Sequence, residues 1–344
     1  MSLLWDRYQA LKAGQPRLRV RDAAAALHVS ECELAAADPT AVRLQPHWED
    51  ILSSLASLGR VMALTRNHAC VHETLGLYDN VSFEGKVGLA MNPVIDLRIF
   101  LFHWRYGFVL RTATPRGVQR SLQFFDRHGD AVHKVFLTEE SNIDAFDALA
   151  ARFAEAPAAL TLEPVEALPG EAADEAVDLD AFRAEWLSLK DVHEFHPFLR
   201  RWGVSRRQGF RLAPKGLAWR VAEHAVEQLL RRAAATALPI MVFAGNRSLI
   251  QIHTGPISNV SVVGDWLNVL DSDFNLHLRT DLVAEAWVTR KPGDNGVVTS
   301  LELFDDAGES LVTFFGERKP GRPERAEWVK LLGELPLQEQ ADVA

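Results

Sequence analysis

Apolar and polar residues alternate along the chain in two separate blocks, and each block follows a stretch with helical spacing. Over positions 97–104 the alternation predicts a strand, with Arg98, Phe100, Phe102 and Trp104 on one face and Leu97, Ile99, Leu101 and His103 on the other. Positions 186–201 read as helix instead, and Val192, Phe195, Leu199 and Trp202 form its apolar stripe. Asp191 with Glu194 three residues later makes a capping-box pair, and His193 and His196 fall on a different face. Pro197 opposes the carbonyl of His193, which predicts a kink or a helix that starts only at Pro197. Turn signals at Arg127-His128-Gly129-Asp130, Asp306-Ala307-Gly308-Glu309 and Pro292-Gly293-Asp294-Asn295-Gly296 punctuate hairpins. Helices followed by antiparallel strands, twice over, predict an α+β fold.

The two blocks are one unit repeated. Asn80-Val81-Ser82 matches Asn259-Val260-Ser261, an offset of 259 − 80 = 179. Residues 80–129 laid ungapped on 259–308 agree at 14 of 50 positions, a period far beyond those of solenoids. Between the copies, positions 155–180 hold eight acids, no base, and Pro157, Pro164, Pro169 and Gly170, the composition of a flexible acidic linker. The expected organisation is an N-terminal repeat at 1–154, a linker at 155–181 and a C-terminal repeat at 182–344. Two such copies can face each other across a cleft, and added function is expected where they differ. Arg98 is one such place, because its counterpart is His277. Its face reads either as a core edge with a snorkelling guanidinium or as the floor of a site for a flat apolar molecule with a polar part. His193 and His196 read either as a surface pair or as imidazoles aimed into a cleft. A helix N-terminus disfavours imidazolium and leaves His193 able to ligate a metal.

Composition narrows the classes. Of 344 residues 48% are apolar and 24% charged, as in a soluble globular protein with room for two domains. A net charge of −9 removes any general electrostatics for nucleic acid. Charge at Asp6 and Arg7 stands where a signal peptide is apolar, and no run approaches the roughly 18 apolar residues of a membrane span, so a cytoplasmic protein without membrane insertion is expected. Cys32 and Cys70 form neither a CxxC pair nor a framework and read as two reduced thiols. Gly203-Val204-Ser205-Arg206-Arg207-Gln208 is a turn with a serine N-cap, and with its flanking helices it resembles a helix-turn-helix. The copy-one version opens its second helix with Glu31-Cys32-Glu33, which phosphates repel, so DNA binding stays a distant alternative.

Longer motifs carry a resemblance. Asp96-Leu97-Arg98-Ile99-Phe100-Leu101, Asp191-Val192-His193, Val204-Ser205-Arg206-Arg207-Gln208, Gln251-Ile252-His253-Thr254-Gly255-Pro256, Trp266-Leu267-Asn268-Val269-Leu270-Asp271, Phe274-Asn275-Leu276-His277-Leu278 and Gly296-Val297-Val298-Thr299-Ser300-Leu301-Glu302 resemble the HemS/HmuS/ChuS/PhuS family of cytosolic bacterial haem-binding proteins. The likeness covers nearly the whole chain outside the acidic linker. It implies two similar α+β halves, each with a large antiparallel sheet, holding haem b in a cleft between them. It implies His193 as the proximal iron ligand, with Arg98 on the distal side as the residue that would serve catalysis. It implies Phe100 and Phe243 as contacts to the porphyrin, and Arg206, Lys291 and Arg318 as the cations for its propionates. These types suit the task, since a neutral imidazole ligates iron and the arginine fork matches a carboxylate. Lys291, next to Arg290 and Pro292, is expected in a turn.

Two departures stand out. Relatives place a tyrosine near positions 311–315, where this chain has Leu311-Val312-Thr313-Phe314-Phe315. Pro197 is unexpected in the ligand helix, and His196 beside it is an alternative ligand. His72 and His277 would mark a second haem site or be ordinary strand histidines.

The resemblance implies a carrier that accepts haem from an inner-membrane importer and passes it to a downstream acceptor. The alternative is an enzyme that cleaves the porphyrin with oxygen, Arg98 orienting water or dioxygen. No G-x-G-x-x-G or P-loop is present, so its electrons would come from an external reductant. Delivery is the favoured reading, and antiparallel units permit a homodimer.

Overall fold

The computed structural model describes residues 3–165, 170–293, 296–318 and 321–338. It divides into two units, and the division does not follow the chain. One unit takes the chain up to Arg66, the stretch from His72 into the acidic linker, and Gly245–Gln251. The other takes Asn67–Val71, the stretch from the linker to Ala244, and the chain from Ile252 onward. Each unit therefore includes a short segment from the opposite half of the sequence.

In the first unit, helices Leu3–Gly14, Val20–Leu27 and Glu31–Ala37 pack around Tyr8, Ala24, Leu27 and Leu34. The third starts at a capping box in which Ser30 Oγ accepts from the Glu33 amide and the Glu33 carboxylate accepts from the Ser30 amide. Strands Val42–Arg43, Trp104–Thr114, Gly117–Asp126, Ala131–Ser141 and Gly59–Arg66 follow one another in an antiparallel ladder. Val81–Glu84, Val87–Met91 and Asp96–Phe100 make a second, three-stranded one. Trp48, Leu52, Trp104, Phe124 and Phe146 fill the core beneath.

The second unit repeats the plan. Helices Leu179–Ser188, Phe195–Trp202 and Arg206–Leu212 pack through Phe182, Trp186, Phe195, Phe198 and Phe210. Ser205 caps the last of them by accepting from the Gln208 amide at 3.0 Å, as its sequence predicts. The ladder runs Ala218–Val221, Glu285–Lys291, Val298–Phe304, Ser310–Gly316, Ile240–Asn246, and Val260–Val263, Trp266–Leu270 and Phe274–Arg279 form its three-stranded companion. The expected α+β duplication is what the chain builds.

The borrowed segments dock by the same hydrogen bonds. Asn67 donates from Nδ2 to the Leu311 carbonyl at 2.8 Å, and its Oδ1 accepts from the amides of Ala69 and Cys70. Asn246, 179 positions later, donates to the Val132 carbonyl at 2.9 Å and accepts from Ser248 and Leu249. Gln251 then threads a buried chain of donors in the first unit. Its amide nitrogen donates to Ala63 O and Thr74 Oγ1, and its oxygen accepts from Thr65 at 2.7 Å. Thr65 Oγ1 has given its only proton, so it accepts from His133 Nδ1, and His133 Nε2 accepts from Tyr78. Burial pushes the His133 imidazole down to about 3, so it stays neutral inside this chain.

Four local readings need correction. The strand expected over 97–104 ends at Phe100, because its ladder partner runs out at Val87 and a short 3-10 turn, Leu101–His103, follows. Phe102 is 62% exposed and Trp104 only 6%, so they do not share one face. The helix expected over 186–201 breaks after Ser188. It resumes as a 3-10 turn, Val192–Glu194, carrying the Asp191–Glu194 capping box, and then as Phe195–Trp202. Pro197 sits in the first turn of that last helix, where its missing N–H has no intrahelical acceptor to lose. The acidic stretch, expected as a flexible linker, is fastened at several of its described positions. Arg43 holds Glu155 at 2.7 Å, Tyr106 and Thr161 exchange hydrogen bonds, and Arg211 holds Glu171 and Asp174. Its positions 166–169, with Asp294 and Asn295 of the Pro292–Gly296 hairpin turn, lie outside the described residues.

Asn246→Ala removes the bonds to Val132, Ser248 and Leu249 and another to the Arg66 carbonyl. At about 1 kcal/mol per bond it is expected to cost about 2–4 kcal/mol, measured as a lower urea midpoint with an unchanged slope.

Candidate functional site

His193 stands on the one-turn 3-10 helix Val192–Glu194, with its side chain 90% exposed. Asp191, extended in backbone just before that turn, accepts both the His193 amide at 2.8 Å and the ring Nδ1 at 2.5 Å. A carboxylate only accepts, so Nδ1 carries the proton and Nε2 presents its lone pair outward. The His193 amide, helped by the ring, holds the Asp191 carboxyl below its ordinary range, which keeps that acceptor charged. This is the arrangement that orients a histidine ligand toward a metal.

His196 lies on the first turn of helix Phe195–Trp202 and is also exposed. Partial burial, and the guanidinium groups of Arg206 and Arg200, push its imidazole below the ordinary value and favour the neutral ring. Arg318 is exposed near Asp191, and both border a small cleft lined also by Lys190, Val192, Arg322 and Glu324.

Beneath this surface lies a buried ionic cluster. Glu302, fully buried, receives Arg206 at both oxygens, at 2.5 and 3.1 Å, and the Lys291 ammonium at 2.6 Å. Lys291 also donates to Thr289 and Ser300, at 2.7 and 3.2 Å. Both cations lie over the rings of Phe195 and Phe210 at 5.0–5.6 Å. Burial opposes the charge on Glu302, but Arg206 and Lys291 outweigh it and hold the carboxyl far below its usual range. Burial lowers Lys291 to about 8, more than the Glu302 carboxylate returns. Lys291 is therefore not a turn residue, as expected, but the 2%-exposed end of strand Glu285–Lys291, placed there by Glu302 on the neighbouring strand.

Phe243 faces outward from its strand and meets Phe315 edge to face, with centroids 5.0 Å apart. His193, His196, Arg206, Phe243, Lys291 and Arg318 all belong to the second unit, and Arg98 and Phe100 to the first. Arg98 is half-buried on strand Asp96–Phe100 and ion-paired with Asp96, while Phe100 ends that strand half-buried. His72 is fully buried, and His277 bonds Asn268 through Nδ1 at 2.7 Å. Three arginines of the helix-turn-helix segment have carboxylate partners: Arg201 with Glu185, Arg206 with Glu302, and Arg207 with Glu171 and Glu285.

A family model described as a haemin-degrading HemS/ChuX domain matches residues 26–153 and again 203–335, once in each half. The chain belongs to the HemS/ChuX family. Hemin transport protein HmuS of Yersinia pestis is 41% identical over 340 residues, covering 96% of this chain and 97% of HmuS. The crystal structure of holo-PhuS, a heme-binding protein from Pseudomonas aeruginosa, is 47% identical with a TM-score of 0.95, over 97% of this chain and 99% of that one. That of ChuS, an E. coli heme oxygenase, is 37% identical with a TM-score of 0.87, over 97% and 99%.

Two site residues escaped the sequence reading of this HemS/ChuX chain. Asp191 was read only as a helix cap, and Glu302 was not singled out. The duplication carries the signal for Glu302: at an offset of 179, Glu302 and Lys291 stand where copy one has Gln123 and Thr112, and Arg206, first after the Ser205 cap, stands where copy one has Glu31 after the Ser30 cap. Two ionisable residues against two neutral ones, and a cation against an acid, mark the copy that holds this charged cluster.

Glu302→Gln leaves two cations around a neutral amide and is expected to cost about 3–5 kcal/mol at pH 7 by urea denaturation. Because the folded carboxyl is depressed, its contribution is complete above the ordinary value of 4.5 and is lost as pH falls further. The urea midpoints of wild type and Glu302→Gln should therefore converge below that pH.

Proposed function

We propose that this chain is a cytoplasmic haem-binding protein that accepts imported haem b and delivers it onward, with His193 as axial ligand and Arg98 as the distal group. The observation that carries the reading is the His193 imidazole, exposed, with its tautomer set by Asp191 so that Nε2 is the ligating atom. Bound haem supplies an iron with an open coordination position, which a neutral imidazole fills. A ligand on a single 3-10 turn, held by one exposed carboxylate, suits binding that must be reversed when the cargo moves on. His196, three residues away and favoured neutral, offers a second imidazole for that exchange. Phe100 and the Phe243–Phe315 pair offer aromatic surface to the porphyrin. The propionates fall to Arg318 and Arg206, whose charge Glu302 already shares, and Lys291 adds to the local positive field from within. Membership of the HemS/ChuX family, and likeness to a hemin transport protein and a heme-binding protein, support this reading. Among the described residues no helix is long and apolar enough to cross a membrane. An inner-membrane importer would be the donor, and a separate protein the acceptor.

The likeness to ChuS favours a second reading, oxygen-dependent haem cleavage driven by an external reductant. In it Arg98 would orient oxygen or water, which requires its guanidinium to leave Asp96.

One optical series tests both. The chain should develop a Soret band at one haem per chain, and His193→Ala,His196→Ala should abolish the histidine-ligated spectrum. A six-coordinate histidine signature kept by His193→Ala alone would place His196 as the exchange ligand, and loss of ligation would sink that exchange. With an electron donor, air and catalase, a band that persists means a carrier; its loss with release of iron means an oxygenase. No Soret band at all would overturn haem binding itself.

A further inference from the structure

The copies also differ at the turn onto which each borrowed segment docks. The hairpin turn Asp305–Glu309 closes with the Asp305 amide donating to Glu309 O at 3.1 Å and Asp305 Oδ1 accepting from the Glu309 amide at 2.7 Å. Copy one repeats it between Asp126 and Asp130, at 3.0 Å in both bonds. Asn67 and Asn246 anchor the borrowed segments to equivalent carbonyls, so the residue after each asparagine occupies the equivalent position. In copy one that residue is Arg247; in copy two it is His68. An arginine at that position is a permanent cation with no lone pair to offer. An imidazole in its place can give up its proton and offer a lone pair.

The geometry of copy two uses that difference. His68 Nε2 lies 3.1 Å from Asp305 Oδ2. One donor atom from each of His68, Asp305 and Glu309 lies within 4.8 Å of the other two. Asp305 is 7% exposed, and its Oδ1 is occupied by the Glu309 amide, which fixes the direction of Oδ2. Arg207 reaches the same turn, but its guanidinium goes to Glu171, Glu285 and the Asp306 carbonyl. One imidazole nitrogen with two carboxylates is a mixed N/O set with two negative charges, which suits a divalent first-row transition ion better than calcium or a thiophilic metal.

We propose that His68, Asp305 and Glu309 form a binding site for a divalent first-row transition-metal ion, separate from the His193 face. It has three protein ligands, the remaining positions being left to water, so it fits reversible uptake rather than a closed structural site. The proposal does not depend on the haem reading, because no residue is shared.

The test is a Co(II) titration of the haem-free chain without an affinity tag, followed by the visible spectrum and by calorimetry. Loss of an outer-shell partner alone weakens such sites 10–100-fold, so losing a ligand is expected to weaken binding at least about tenfold. Wild type and His193→Ala should each bind one equivalent at this site, and His68→Arg and Asp305→Asn should each lose it. His68→Arg installs the residue that copy one tolerates beside the same turn, so its thermal melt should match wild type. Should Asp305→Asn fail to fold, Glu309→Gln takes its place with the same expected loss. Absence of Co(II) binding by wild type, or wild-type affinity in His68→Arg or in the folded carboxylate variant, would overturn the proposal.

Discussion

A carboxylate sealed from water sets the terms for the face that carries His193. Glu302 is fully buried, and an isolated charge there would cost several kcal/mol, so the chain surrounds it with Arg206, Lys291, Thr289 and Ser300. Those partners come from a helix and two strands, and each must be in register for the cluster to close. Phe195 and Phe210 lie against the cations, which ties the start of the His193-bearing helical segment to the sheet. Removing the charge loosens the seating of the helix as well as one ion pair.

The first unit runs the same ladder with Gln123 and Thr112 at the strand places of Glu302 and Lys291, so the charged cluster is not required by the architecture. It belongs to one copy. The same reasoning separates His68 from Arg247. A duplicated scaffold keeps one version of a turn or strand for stability and leaves the other free to acquire chemistry. Differences between the copies then carry more information than either copy alone.

Much of the fold was legible beforehand. The Ser205 cap and the Asp191–Glu194 box rest on interactions within a few residues, and the α+β plan and the repeat on periodicity and self-similarity, all of which sequence spacing exposes. The misread positions depend on partners far along the chain. Phe102 leaves the strand because Val87 ends the neighbouring one, and Lys291 is buried because Glu302 waits across the ladder. The acidic stretch looked like a tether because its composition is polar, yet Arg43, Tyr106 and Arg211 fasten it from elements more than 30 residues away. The asparagines that anchor the borrowed segments are identical in both copies, but nothing near Asn67 announces a carbonyl 244 residues away.

That distance has a consequence for how the protein is made. A chain leaving the ribosome cannot complete its first unit until Gly245–Gln251 has emerged, with nearly three-quarters of the protein already synthesised. Until then Ala63, Thr65 and Thr74 lack the Gln251 side chain that satisfies them. The first unit therefore reaches its final form only after a large part of the second has been synthesised.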